Sequence, residues 1–200
     1  MEAQTRRWEV LLLGGPSGVG KTSVSYRLAR HFGVGITEVD DFQNLLEAMT
    51  TPEQQPAIHF WRTHPAPETL AAATIIEQLR EQGRAMGPGL EAVIANHLET
   101  HTPIVLEGDF ILPELAARPR FLDQPNDGRV RAVFLYEPDE AQLLANYLQR
   151  EPGAGSQSKR AQVSWLHGQW FKDEAERHGL PALPARPWDT VLDRVIAAAS

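Results

Sequence analysis

The chain has 200 residues, 42% of them hydrophobic and 22% charged, with a formal net charge of −7, which suits one ordinary globular domain with a sizeable core. The negative balance argues against general nucleic-acid binding, which needs a basic face, but leaves room for a local cationic pocket. The chain lacks cysteine, so there is no disulfide framework and no cysteine metal site, as suits a reducing cytoplasm, and its seven histidines show no metal-ligand spacing.

The basic pair Arg6 and Arg7 precedes an apolar run that glycines cut short, so neither a membrane span nor a targeting segment is expected. Trp8 to Leu13 is that run, and it reads as a buried parallel strand. From Lys21 the period becomes helical, with Val24, Leu28 and Phe32 on one face and Gly33 and Gly35 as the stop. The stretch "ITEVDDF" reads as a second strand closing on Asp40 and Asp41, and residues 51–68 as irregular chain. Two helices are expected next, over 70–80 and 90–98. "PIVLEGDF" is a third strand ended by Gly108, and "VRAVFLY" a fourth. Asp139 caps a helix carrying Leu143, Leu144, Tyr147 and Leu148. The polar run "REPGAGSQSKR" is read as a mobile loop, followed by a helix over 163–178 that Gly179 stops. A short strand in "LPALPARPW" and a last helix capped by Asp189 complete the chain. Strands alternating with helices give βαβ units in a single domain, hence an α/β fold with a parallel sheet covered on both faces.

Only three lysines stand against sixteen arginines, and one of them ends a glycine-rich stretch, "GPSGVGKT". Gly15, Pro16, Ser17, Gly18, Val19, Gly20, Lys21 and Thr22 form the complete G-x-x-x-x-G-K-[ST] phosphate loop. Its glycines let successive N–H groups point inward as an anion nest, and the following helix adds its positive end. Lys21 supplies a mobile charge for the β and γ phosphates, and the Thr22 hydroxyl is a magnesium ligand.

The chain carries no N-K-x-D base-reading motif, and it is too short for a motor or transporter ATPase. A kinase acting with Mg-ATP on a small-molecule acceptor fits this size, and it needs an acid by the acceptor, a metal shell and a cationic lid. The acids lie at strand ends, where ligands of doubly wound sheets bind. Asp40 is read as the base for the acceptor hydroxyl; Asp41 serves equally as that base or as a helix cap. Glu107 holds magnesium or touches the acceptor, and Asp109 stands beside it. The lid spans about 150–162, with Arg150, Lys159 and Arg160 as its cations, although Arg150 also suits a helix C-terminus. The acceptor region runs over about 42–100, where His59, Trp61, Arg62, His64 and Arg84 are candidate contacts. A nucleoside or nucleotide kinase is the second enzymatic reading. A non-catalytic ATP-binding regulatory module is the alternative of a different kind.

With the phosphate loop, "VDDF", "LEGDFILPEL" and the late lid in place, the chain resembles the P-loop small-molecule kinases. That group includes shikimate and gluconate kinases, chloramphenicol phosphotransferase and 2-phosphoglycerate kinase-like proteins. "VDDFQNLLEAM" is similar to the chloramphenicol phosphotransferase segment whose aspartate is the base, a place taken here by Asp40. "LEGDFILPEL" is similar to the glutamate-glycine turn of the 2-phosphoglycerate kinase-like proteins, matched by Glu107 and Gly108; a histidine follows there, where this chain has Phe110. The resemblance implies an adenine site between Arg150 and "ARPW", which contains Arg186 and Pro187. It also implies a five-stranded parallel sheet in the order 2-3-1-4-5, a metabolite, antibiotic or 2-phosphoglycerate-like acceptor, and a monomer or homodimer in the cytoplasm.

Overall fold

The computed structural model describes residues 6–64, 66 and 69–200. Of the stretch expected to be irregular, Pro65, Pro67 and Glu68 lie outside the described residues. Strand β1 (Val10–Gly14) leads into helix α1 (Lys21–Phe32), strand β2 (Gly35–Glu38) and helix α2 (Val39–Met49). A short helix α3 (Phe60–Thr63) and the long α4 (Ala72–Glu99) precede β3 (Ile104–Gly108) and α5 (Pro113–Ala116). The two-residue strands β4 (Arg120–Phe121) and β5 (Gln124–Pro125) pair as a small antiparallel hairpin that no sequence signal announced. Then follow β6 (Val130–Tyr136), α6 (Glu140–Arg150), α7 (Ser158–Arg177), β7 (Ala182–Pro184) and α8 (Val191–Ala199).

The main sheet has the order β2-β3-β1-β6-β7, and its pairings are all parallel. Counted among its own five strands that is 2-3-1-4-5, the order expected. Every residue of β1 and β3 is buried, because helices cover both faces. Alternate residues divide the core: Val10 and Leu12 pack under α4, α5 and α7, while Leu11 and Leu13 pack under α1, α6 and α8. Register sets Gly14 beside Gly108 and Glu38 beside Glu107, so the carboxyl ends of the central strands meet at one edge. Among the described residues, no helix is long and apolar enough to cross a membrane.

Four expectations need correction. Strand β2 stops at Glu38, and Asp40 and Asp41 sit in the first turn of α2, so Asp41 is not its N-cap. The helices expected at 70–80 and 90–98 are one helix of 28 residues that runs through Pro88. A proline inside a helix costs about 3 kcal/mol. Burial of Met86, Leu90, Ile94 and Leu98 on the same face, at about 1.5–3 kcal/mol each, outweighs it. Helix α7 begins at Ser158, so Lys159 and Arg160 stand in its first turn rather than in a loop; its sealed face is Ser164, His167, Gly168, Phe171 and Ala175. The N-cap position of α8 is Thr190, not Asp189. Asp139 does cap α6, its Oδ1 accepting from the Ala141 N–H at 2.9 Å, but Leu148 on that helix is exposed.

Candidate active site

Beyond Gly14 the chain turns through the glycine-rich loop and enters α1 at Lys21. Gly15 adopts φ 131° and lies so close to β6 that an added Cβ would sit 2.1 Å from the Leu135 carbonyl oxygen. Gly20 adopts φ 88° with the Trp188 ring 2.5 Å from where its Cβ would be. Only glycine fits either place. No side chain caps α1 and its first turn holds no acid, so its first N–H groups remain open to an anion. From α6, Asn146 Nδ2 donates to the Gly18 carbonyl at 2.9 Å and braces the loop from outside.

Two residues of the loop are already engaged by the acids at the end of β3. Lys21 Nζ donates to Asp109 Oδ1 at 2.6 Å and to the Pro16 carbonyl at 3.0 Å. The Thr22 hydroxyl donates to Glu107 Oε1 at 2.6 Å. Burial by itself would lower the pKa of Lys21, but the Asp109 and Glu107 charges together hold it above the ordinary lysine value. Glu107 is raised above the usual carboxylate range, chiefly by burial, against the opposing pull of Lys21 and Thr22. Asp40 opens to solvent at the cleft, yet its carboxyl is also raised, first by the desolvating cleft walls and then by the Asp109 charge.

The opposite wall comes from α6 and the segment before α8; the first turn of α7, with Lys159 and Arg160, does not line the cleft but contacts the end of α6. Glu151 accepts from Arg150 Nε at 3.0 Å and from Arg160 Nη1 at 3.0 and 2.9 Å, and both guanidinium groups lie over the Tyr147 ring. Those two arginines hold the Glu151 carboxyl below its ordinary value, Arg160 foremost. Glu137, just past β6, is 3% exposed and its carboxyl is raised by burial; Arg186 Nε lies 3.6 Å away.

These walls enclose a cleft of about 930 Å³ lined by residues 17–23, Asp40, Glu107–Asp109, Glu137, Asn146, Tyr147, Arg150, Arg186 and Trp188, among others. Of the sequence candidates it therefore gathers most of the phosphate loop with Asp40, Glu107, Gly108, Arg150 and Arg186. Asp41 does not line it. Neither does Pro187, whose carbonyl accepts from Arg194 Nη2 at 3.0 Å. Arg62 and Arg84 lie outside it and are spent on carboxylates: Arg62 on Glu47 at 2.5 Å, Arg84 on Glu77 at 3.1 Å and on Glu81. His59, Trp61 and His64 are absorbed locally, by Thr50, Gln82 and the Phe60 ring respectively. Sequence reading passed over Glu137, Asn146 and Tyr147 as site residues, whereas Trp188 belongs to the "ARPW" segment expected to border the adenine. Glu137 carried the same signal as Glu107, an acid ending an apolar run; Asn146 carried none.

Oxygen ligands from Thr22 and Glu107 stand together, and Glu107 is a buried carboxylate short of positive charge, which fits a hard divalent cation such as magnesium. Among the described residues no group of three or more acids and histidines is placed to hold a metal alone. Magnesium bound here would complete its shell from phosphate and water, as its chemistry prefers.

No protein-family model matches the chain. A gluconokinase from Sinorhizobium meliloti superposes with a TM-score of 0.54 at 17% identity, covering 98% of this chain and 93% of that one. A sugar kinase from Janibacter gives 0.56 at 16% identity, covering 96% and 94%. The fold is that of the P-loop kinases. In sequence the chain is similar to the 2-phosphoglycerate kinase of Pyrococcus furiosus, 30% identical over 108 residues, or 52% of this chain and 36% of that protein. It is also similar to the 2-phosphoglycerate kinase of Methanothermobacter thermautotrophicus, 25% identical over 203 aligned positions that cover 94% of this chain and 64% of that protein. The chain thus spans between about a third and two thirds of the length of these relatives.

Proposed function

We propose that the chain is an ATP-dependent phosphotransferase that moves the γ-phosphate of Mg-ATP to a hydroxyl of a small molecule, with a 2-phosphoglycerate-like acceptor among the candidates. One observation carries the reading: Lys21 and Thr22 of the phosphate loop face Glu107, Asp109 and Asp40 inside one cleft. A site that only stored a nucleotide would need the loop but not an acid free to take a proton.

The loop amides and the positive end of α1 bind the phosphates, and Lys21 leaves Asp109 to follow the charge on the γ-phosphoryl group. Thr22 and Glu107 would hold magnesium, which would neutralise phosphate charge. The acceptor oxygen forms its bond to phosphorus as the bond to the bridging oxygen of ADP breaks, and the acceptor proton passes to Asp40. A carboxyl raised above its usual range is a stronger proton acceptor than an ordinary aspartate. Arg150, which ends α6 and lines the cleft, would serve as the lid cation on the transferring group. Arg186, on the same wall and reaching Asn146 of α6 at 3.4 Å, would border the adenine.

Turnover measured across sugar acids, phosphorylated metabolites, nucleosides and hydroxylated antibiotics tests the reading. With an accepted substrate, Asp40→Asn should lower kcat by about a hundred- to ten-thousand-fold with Mg-ATP affinity nearly unchanged. Glu107→Gln should instead weaken magnesium-dependent nucleotide binding. Parent-like turnover in both variants would sink the mechanism; ATP binding without turnover of any acceptor would leave the regulatory module in its place.

A further inference from the structure

Asn146, on α6, lines the cleft and is bonded to two different parts of it. Its Nδ2 donates to the Gly18 carbonyl, in the middle of the phosphate loop, at 2.9 Å. Its Oδ1 accepts from Gln142 Nε2 at 2.9 Å and from Arg186 Nη2 at 3.4 Å. The loop side offers an acceptor and the other side offers donors, so the position calls for an amide. A carboxylate would face the Gly18 carbonyl, and an ammonium would face the Arg186 guanidinium.

The backbone that carries Arg186 is anchored on either side of it. Arg194 of α8 donates Nη1 to the Pro184 carbonyl at 2.7 Å and Nη2 to the Pro187 carbonyl at 3.0 Å. Trp188, next to Pro187, lies against Gly20 of the phosphate loop. The Arg186 side chain is held less tightly than that backbone. It is 44% exposed, and its contacts, Asn146 at 3.4 Å and the buried Glu137 carboxylate at 3.6 Å, are long. From Arg186 through Asn146 to Gly18, the inner link is therefore short and the outer one loose.

We propose that Asn146 is a positioning residue that ties the donor's base to the phosphate loop, so that the site favours a nucleoside triphosphate over a bare polyphosphate by more than the base's own contacts. A base lying over Arg186 takes that side chain out of water and restricts it, which strengthens its bond to Asn146 Oδ1. Asn146 then holds the Gly18 carbonyl with less freedom left to lose when phosphate arrives. The coupling is reciprocal: what the base adds to the loop's hold on phosphate, phosphate adds to the hold on the base. The inference rests on the nucleotide use proposed above and is independent of which acceptor is phosphorylated.

Calorimetric titration of the full chain, with magnesium, compares a non-hydrolysable ATP analogue with inorganic tripolyphosphate, which fills the loop but carries no base. A residue that only braced the loop would cost both ligands the same factor when removed. Asn146→Ala should instead cost the analogue about fivefold or more beyond what it costs tripolyphosphate. Arg186→Met should weaken the analogue and leave tripolyphosphate within about twofold of the parent, and in that background Asn146→Ala should cost both ligands equally. Asn146→Gln, which keeps the amide on a longer stem, should recover part of the excess; Asn146→Ser replaces the alanine in the cycle if that variant does not fold. Equal losses for the two ligands, or an excess that persists without Arg186, overturn the proposal, and an acceptor still phosphorylated by the parent would spare the phosphotransferase reading. The expected cycle with no acceptor phosphorylated does the reverse. If neither ligand binds the parent, the phosphate-loop reading falls and the proposal with it.

Discussion

Replacing Asp109 by asparagine should tighten nucleotide binding, although Asp109 lies in the middle of the site. Lys21 is only 6% exposed and holds Asp109 at 2.6 Å, so a phosphate must take the ammonium from a partner it already has. A hydrogen bond between charged groups is worth about 1.5–3 kcal/mol. Asp109 is 25% exposed, so solvent screens its side of the pair and discounts that range to about 1–2 kcal/mol. Asparagine keeps the shape but not the charge, so ADP without magnesium should bind roughly 5- to 30-fold more tightly to Asp109→Asn. The unliganded variant should melt lower than the parent, because Lys21 then sits buried without its nearest counter-charge. Calorimetric titration at fixed ionic strength measures the first effect and thermal unfolding the second. In a Lys21→Met background the same Asp109 substitution should leave ADP affinity unchanged. Equal ADP affinity in parent and Asp109→Asn, or a gain that persists without Lys21, would refute the trade between aspartate and phosphate.

Gly20→Ala should lower both the melting temperature and nucleotide affinity, the latter at least tenfold, because it forces a left-handed backbone on alanine and drives Cβ into Trp188; a variant that binds ADP like the parent would show that the loop is not held by that ring. Glu137→Gln should raise the melting temperature at pH 7.5. Its carboxyl is raised by burial above the ordinary 4.5, so the folded state favours the protonated form and is weakened once the group ionises. The gain should shrink as pH falls through the raised folded-state value and vanish below 4.5, where parent and variant are both neutral; a gain that is flat with pH, or absent at 7.5, contradicts this.

Local chemistry was enough to read the phosphate loop, β1, β3, β6 and the Asp139 cap. Each rests on a rule that acts within a few residues: glycines before a lysine, an apolar run with a stop, an acid one step before a helix. The alternation of strands and helices likewise sufficed for the parallel sheet and, with the family resemblance, for its order. Tertiary structure decided what depended on burial. Helix α4 passes through Pro88 because its apolar face lies on the sheet, a reward that "GPG" by itself cannot reveal. Lys21 chose Asp109, and Thr22 chose Glu107, across more than eighty residues, because β1 and β3 pair in register and end together. Arg62 and Arg84 were plausible acceptor contacts by composition, yet the fold surrounds them with glutamates. Arg80 and His167 gave no signal in the chain at all. Only the packing of α4 against α7 buries their nitrogens without partners, where leaving a hydrogen bond unmade costs free energy that an exposed side chain never incurs.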